Sequence, residues 1–405
     1  MRILLTANAS YVPPRGGATR SNLVWLDRLA QCGDACRVIC GGEDGGGALR
    51  AGPEGTAGSI DVLACADPGR RLQVLRREIR EFHPDWVLVS SEDVGHALLR
   101  EAHHGAPGRV VYLAHTPQFY PFGPASWNPD RHAADLVTQS AGIVAIGRHM
   151  AEYIERALGR GAAVIHPPIY GVGPFANYGS QTSGFITMIN PCAVKGIDIF
   201  LKVADRLPAH EFAVIPGWGT TTDDRRALAR RANIRVLPNP RDIDETLRQT
   251  RVLLMPSLWY EGFGLIVMEA MLRGLPVVAS DSGGLKEAKR GTNYVIPVHA
   301  IERYQPVFDE HAMPKPVVPE NDAAPWVAAL RELLEDRAAY ERESAASRRA
   351  AEEFIAGLDA GEIERYLSGL HPSAAARREP ASIESLSPEK RALLLQRLHR
   401  RKIAH

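Results

Sequence analysis

The sequence predicts an α/β protein made of two doubly wound halves, and three observations carry that prediction. Short runs of β-branched and aliphatic residues alternate with amphipathic stretches along most of the chain. The strand-like runs are continuously apolar, as strands of a parallel sheet covered on both faces are. The alternation stops over residues 166–183, where Pro, Gly and polar residues gather, and then starts again.

In the first half, residues 2–6 form a strand signal, 21–31 a helix and 36–40 a second strand. The Gly-rich segment 41–58, with Gly45-Gly46-Gly47, is expected to be a flexible connector. Residues 86–89 behind Pro84, then 110–113 and 143–146, are further strands, with a helix near 95–102. The second half repeats the pattern with strand 185–189, helix 197–205, strand 211–215, helix 222–232 and strand 234–237. Strand 252–255, a Gly-rich turn, helix 265–272, strand 276–280 and helices 324–335 and 340–356 complete it. Between 291 and 325 lies a Pro-rich stretch of little periodicity, expected to be an insertion or a surface loop. The division is 1–170, 184–350, a helical segment at 351–370, and a linker and tail helix at 371–405.

Composition bounds the function. The chain has 405 residues, with Lys+Arg 48 against Asp+Glu 47, a formal charge of +1, too near neutral for a dedicated nucleic-acid binder. With 45% hydrophobic and 23% charged residues it is an ordinary globular chain. No apolar run approaches the roughly 20 residues of a membrane-spanning helix. The start, Met1 to Ala7, is too short for a signal-peptide core, and five cysteines cannot make a disulfide framework, so a cytoplasmic protein is expected. Cys32, Cys36 and Cys40 sit four apart, but alternation along strand 36–40 keeps the thiols from converging on a metal.

The most informative stretch is residues 256–276, which follows a strand, turns through Gly262 and Gly264 and opens a helix. Amides of Phe263, Gly264 and Leu265 at that helix start suit an anion, and the missing Cβ of Gly264 allows close approach. Glu269 lies eight residues beyond Glu261 in an otherwise apolar run. Unpaired burial would cost it several kcal/mol, so it is solvated by a cleft or hydrogen-bonded. Vicinal ribose hydroxyls would satisfy both its oxygens; the alternative is a helix-surface glutamate beside a structural turn.

The run from Glu261 to Glu269, followed by residues 274–280 and by Gly283-Gly284-Leu285-Lys286-Glu287, resembles the donor-site signature of retaining GT-B glycosyltransferases of family 4. The resemblance extends over most of residues 1–369. It implies a GT-B fold, in which two Rossmann-like domains face each other across a cleft and C-terminal helices, here 351–370, cross back to the first domain. By the same resemblance Glu269 holds the nucleotide ribose, Glu261 contacts donor-sugar hydroxyls, and the amides from Gly262 to Leu265 meet the sugar and diphosphate. Lys195 matches the basic element that grips the diphosphate, whereas Asn190 stands close to where most relatives carry an arginine. Gly217 and Gly219 match a Gly-rich turn on the donor side. Gly16 and Gly17, after the first strand, match a loop that closes over the donor phosphates. His115, past the strand 110–113, matches a histidine beside the donor sugar. The neighbouring stretch Phe119-Tyr120-Pro121-Phe122 is either an acceptor wall or local packing.

The resemblance implies a nucleotide-diphosphate sugar as donor and retention by a front-face route, in which the departing phosphate helps remove the acceptor proton, so His115, Lys195 and Glu261 act by orientation and charge. No Asp-X-Asp motif sits at a strand end and Asp223-Asp224 falls at a helix start, so no metal and no bound cofactor are expected. In the tail, Ser387, Pro388 and Glu389 signal the start of a basic helix with an edge of Leu394, Leu395 and Leu398. Residues 386–403 resemble the helical linker that begins many condensation and ketosynthase modules, which implies docking to a megasynthase and a carrier-bound or small-molecule natural-product acceptor. The same helix also suits an anionic membrane surface and a lipid or polysaccharide acceptor, or packing on its own domain. Two further readings are a nucleotide-sugar 2-epimerase, whose catalytic residues the pattern does not supply, and a non-catalytic nucleotide-sugar-binding partner of an assembly line.

Overall fold

The computed structural model describes residues 1–14, 16–50, 59–240 and 242–373. The tail segment 386–403, on which the megasynthase and membrane readings rest, lies outside the described residues.

Continuous apolar runs set the first sheet. β1 (Arg2–Ser10) is followed by α1 (Gly16–Gln31), β2 (Ala35–Gly41), β3 (Gly45–Arg50), β4 (Ser59–Ala64) and α2 (Pro68–Phe82). Then come β5 (Trp86–Ser90), α3 (Ala97–Gly105), β6 (Val110–Ala114), α4 (Arg131–Gln139), β7 (Gly142–Ala145), α5 (Arg148–Leu158) and β8 (Ala163–Val164). Every residue of β5, β6 and β7 is buried, as strands shielded on both faces must be. The strand order is β3-β4-β2-β1-β5-β6-β7-β8, and the pairing is parallel except for β3 against β4. Residues 45–50 are thus a strand rather than the expected connector, because the outer edge of β4 offers them a ladder of backbone partners.

The second sheet repeats the plan. β9 (Phe185–Ile189), α6 (Ile197–Arg206), β10 (Phe212–Ile215), α7 (Thr222–Ala229) and β11 (Ile234–Val236) lead through α8 (Ile243–Leu247) to β12 (Thr250–Met255). α9 (Leu265–Leu272), β13 (Val277–Ser280), α10 (Leu285–Ala288) and β14 (Val295–Ile296) follow. The order is β11-β10-β9-β12-β13-β14, all parallel. The stretch 291–325 is more ordered than its Pro content suggests. It holds β14 and an antiparallel hairpin of β15 (Tyr304–Phe308) and β16 (Pro314–Pro316), a pairing with no inner neighbour, which is where proline is tolerated.

The chain ends its described part with α11 (Ala324–Glu335), α12 (Arg337–Ala356) and α13 (Glu362–Gly369). α13 packs on the first lobe: Ile363 and Leu367 join its core, and the Tyr366 hydroxyl donates to the Ile143 carbonyl at 3.4 Å. One apolar core runs between the lobes through Phe263, stacked on Phe354 at 5.6 Å, while a second core fills the outer layer of the second lobe. The two Rossmann-like lobes therefore face each other in the GT-B arrangement. In each sheet the strand order reverses beside a central strand, β1 with β5 and β9 with β12, and the crevice at such a reversal is where open α/β sheets take ligands.

Candidate functional site

The loops at these two reversals meet across a cleft of about 480 Å³. From the first lobe come Gly16 and Gly17 after β1, Glu92 after β5, and His115 with Thr116 and Phe119 after β6. From the second come Asn190 and Lys195 after β9, and Trp259, Glu261, Gly262, Phe263, Gly264, Leu265 and Glu269 on the loop and helix after β12.

Lys195 sits on a single 3₁₀ turn closed by Gly196 at φ +81°, where a Cβ would lie 1.9 Å from the Pro256 carbonyl, so only glycine lets the β9 and β12 loops close together. That contact sets the ion pair of Lys195 Nζ with Glu261 Oε1 at 2.5 Å. Ser257 Oγ donates to the same oxygen at 2.6 Å. The ammonium also lies over the rings of Trp259 and Trp218, at 5.6 and 6.0 Å.

Gly264, at φ +104°, caps α9, whose first amides lack intrahelical partners and open on the cleft. α9 is apolar because it is buried on nearly every side, and Glu269 is its one charge, 4% exposed. Burial raises its carboxyl pKa, and Arg20 opposes that shift. Arg20 Nη2 reaches Glu269 Oε1 at 2.7 Å across the cleft. Downstream, Gly283 and Gly284 press on the backbone of Glu261 and Gly262, where side chains would collide, and Gly284 N–H donates to the Glu261 carbonyl at 2.8 Å.

The facing wall is held by a buried polar chain. Asn22 Nδ2 donates to the Tyr11 hydroxyl at 2.8 Å and to Ser90 Oγ at 3.3 Å. Its Oδ1 therefore accepts from His115 Nε2, 2.8 Å away. This assigns the neutral Nε2–H tautomer, consistent with a pKa pulled down to about 3 by burial. Nδ1 is left a buried acceptor without a hydrogen-bond partner among the described residues. Glu92 Oε2 is likewise sequestered and unpartnered among them, and burial pushes the Glu92 carboxyl up to about 7. Gly262 passes so close to His115 that a Cβ would lie 2.3 Å from its carbonyl oxygen.

Most residues anticipated from the sequence meet in this cleft, with adjustments. Gly16 and Gly17 line it, but as the opening of α1, not as a loop preceding a helix at residue 21; α1 begins five residues earlier, so its N-terminal amides face the cleft. Gly217 does not line it: a Cβ there would lie 2.6 Å from Asn190 Oδ1, so its role is to make room for that side chain. Gly219 N–H donates to Asn190 Oδ1 at 3.0 Å and faces an adjoining cavity of about 260 Å³. Of the aromatic stretch only Phe119 reaches the cleft, while Tyr120 and Phe122 are core packing. Asp224 closes a capping box with Thr221, and among the described residues no group of three or more His, Cys, Asp or Glu is placed to hold a metal ion. Arg20, Glu92, Trp218 and the Ser257 hydroxyl were not singled out from sequence; Arg20, three residues past a glycine pair, and Glu92, just past a strand, carried only positional signals. No helix among the described residues is long and apolar enough to cross a membrane.

Residues 180–336 match the family described as Glycosyl transferases group 1, and residues 15–170 match Glycosyltransferase Family 4. Among curated proteins, a D-inositol 3-phosphate glycosyltransferase of Mycobacteroides abscessus is 29% identical over 142 residues, covering 32% of this chain and 31% of that one. A trehalose synthase of Pyrococcus horikoshii is 26% identical over 171 residues, covering 34% and 41%. These alignments thus span well under half of either relative. Among solved structures, Anabaena HepE in complex with UDP-glucose aligns at TM-score 0.63 and 15% identity, over 91% of this chain and 98% of that one. Sucrose-phosphate synthase of Thermosynechococcus elongatus aligns at 0.66 and 15%, over 91% and 99%. At such identities the structures speak for the fold.

Proposed function

As the chain belongs to the group 1 and family 4 glycosyltransferases of GT-B fold, we propose that it transfers a sugar from a nucleotide-diphosphate donor held in the interlobe cleft to an acceptor hydroxyl. One observation carries this reading: the two sheet reversals bring a lysine, two buried glutamates and two helix N-termini onto one cavity. In it Glu269 takes the ribose hydroxyls, and the α9 amides with Lys195 take the diphosphate and stabilise it as the glycosidic bond breaks. Glu261 and the Nδ1 acceptor of His115 orient donor-sugar hydroxyls. A neutral imidazole suits that work, since a protonated ring could not accept.

The transfer we propose is retaining, with the departing phosphate taking the acceptor proton, and metal-independent; charge neutralisation by Lys195 and the amides supports the second point. The anomeric configuration of the product, read by NMR, tests retention, and turnover in excess EDTA tests metal independence. UDP-glucose, present in the HepE complex, is the first donor to try. A thermal-shift screen of nucleoside diphosphates and their sugars, followed by release of nucleotide from the stabilising donor, separates an enzyme from a non-catalytic binding partner. For the acceptor we propose a natural product, on the sequence of residues 386–403 alone; co-sedimentation of the full chain with anionic liposomes favours the lipid or polysaccharide reading instead.

A further inference from the structure

Two glutamates of the cleft, Glu261 and Glu269, each hold one cation. Lys195 and Glu261 pair within the second lobe, whereas Arg20 and Glu269 pair across the cleft, from the fifth residue of α1 to α9. The second pair is lopsided: the Glu269 side chain is 5% exposed and that of Arg20 42%. Among the described residues, only Nη2 of Arg20 has a hydrogen-bond partner, which leaves the other donors of its planar fork available to a ligand in the cleft that Arg20 lines. The start of α1 also meets the start of α9 here, since a Cβ on Gly17 would sit 3.0 Å from Leu265 Cδ1. Two helix N-termini of opposite lobes thus converge beside the guanidinium, a place that favours an anion from both sides.

Arg20 already occupies one of the two Glu269 oxygens that ribose hydroxyls would need. Resting on the donor placement proposed above, we propose that Arg20 is a second diphosphate-binding cation, contributed by the first lobe. The guanidinium rests on Glu269; when a ribose takes that carboxylate, it turns to the adjoining phosphates. The cross-lobe ion pair is then exchanged for a cross-lobe bridge through the donor, and only a ligand carrying both ribose and phosphates completes the exchange.

The test is calorimetric titration of wild type, Arg20→Ala and Arg20→Lys with uridine, UMP and UDP, or with the same series for whichever base the wild type binds best. Arg20→Ala is expected to weaken the diphosphate at least about tenfold, the loss of one charge-assisted bond, and to flatten the salt dependence of its binding. It should leave the nucleoside within about twofold, and Arg20→Lys should recover part of the diphosphate affinity. Equal weakening of nucleoside and diphosphate would mean that Arg20 merely supports Glu269, and unchanged diphosphate binding would mean that it has no part; either overturns the inference. Unliganded melting temperatures establish that each variant folds. A wild type that binds no nucleoside diphosphate overturns the proposed function itself, and this inference with it.

Discussion

Glu269→Gln separates the two roles open to a buried carboxylate, serving the fold or serving a ligand. The side chain is 5% exposed, and burial raises its pKa, so its charge is a cost to folding that Arg20 only partly relieves. Arg20 is 42% exposed, and a pair so open to water is worth no more than about 1 kcal/mol. Glutamine keeps the shape and removes the charge, so unfolding stability should stay within about 1 kcal/mol of wild type, with water taking over the guanidinium. Ribose binding should suffer far more. Two hydroxyls donating to an ionised carboxylate gain about 1.5–3 kcal/mol each, and an amide offers one acceptor and an N–H that opposes the second hydroxyl. A loss of about 2–4 kcal/mol, or roughly 30- to 1,000-fold in donor affinity, follows. Thermal unfolding without ligand and calorimetric titration of the same sample measure both quantities. A variant that melts far below wild type yet binds nucleotide normally would refute the assignment, making Glu269 a structural counter-ion.

Lys195→Met should lower the rate of nucleotide release from donor about 100- to 1,000-fold, the usual effect of removing one group that stabilises developing charge. Glu261→Gln in the same background checks that a stranded carboxylate is not responsible, and a wild-type rate in the double variant would end the assignment. Glu287, from the second lobe, accepts from the Arg148 and His149 amides at 3.0 Å each and so caps α5 of the first lobe. Glu287→Ala should cost about 1–2 kcal/mol in urea unfolding, with faster amide exchange at the start of α5; unchanged protection there would contradict the cap. For pH, the His115 pKa is about 3 in the fold against an ordinary 6.5, so the unfolded chain binds the proton first and stability falls as pH drops below 6.5. That loss amounts to about 2 kcal/mol at pH 5 and should disappear in His115→Gln. Glu92, raised to about 7, works the other way and regains stability on acidification from 7, so Glu92→Gln should steepen the acid limb.

What the sequence made legible follows from the range of the forces involved. Strand 185–189 and helices 265–272 and 324–335 have the bounds read from the sequence, because Gly264, Pro325 and continuous apolar runs act within one turn of the chain. The strand at residues 45–50 was hidden, since three glycines argue against β-structure and only the free edge of β4 overrides them. Arg20 and Glu92 were hidden for a related reason. What gives Arg20 meaning is Glu269, 249 residues further along the chain, and what gives Glu92 meaning is the crevice that sheet order creates. Gly217 carries a constraint that spacing alone does not show: a Cβ there would lie 2.6 Å from Asn190 Oδ1, so glycine at that turn also accommodates this side chain.

The charge arrangement of the cleft has a consequence for selectivity. Were Lys195 and Arg20 unpaired, any phosphate dianion would find two cations and two helix N-termini waiting. Both are instead held by carboxylates, at 2.5 and 2.7 Å, so a bare anion that draws either cation to itself breaks an ion pair and leaves a buried glutamate, 8% or 4% exposed, without a partner. For Glu261, whose pair with Lys195 is buried on both sides, stranding costs about 3–5 kcal/mol, more than one phosphate contact returns; for Glu269, whose partner is half in water, the cost is about 1 kcal/mol. A sugar nucleotide avoids the cost because its ribose and sugar hydroxyls can replace the cations on both glutamates. Inorganic pyrophosphate should therefore bind at least about 100-fold more weakly than the matching sugar nucleotide, although it carries more charge. Glu269→Gln should narrow that gap, since no carboxylate is stranded there when Arg20 leaves. Competition of pyrophosphate against a fluorescent nucleotide measures the ratio, and parity in the wild type would show that charge alone, not exchange of partners, selects the donor.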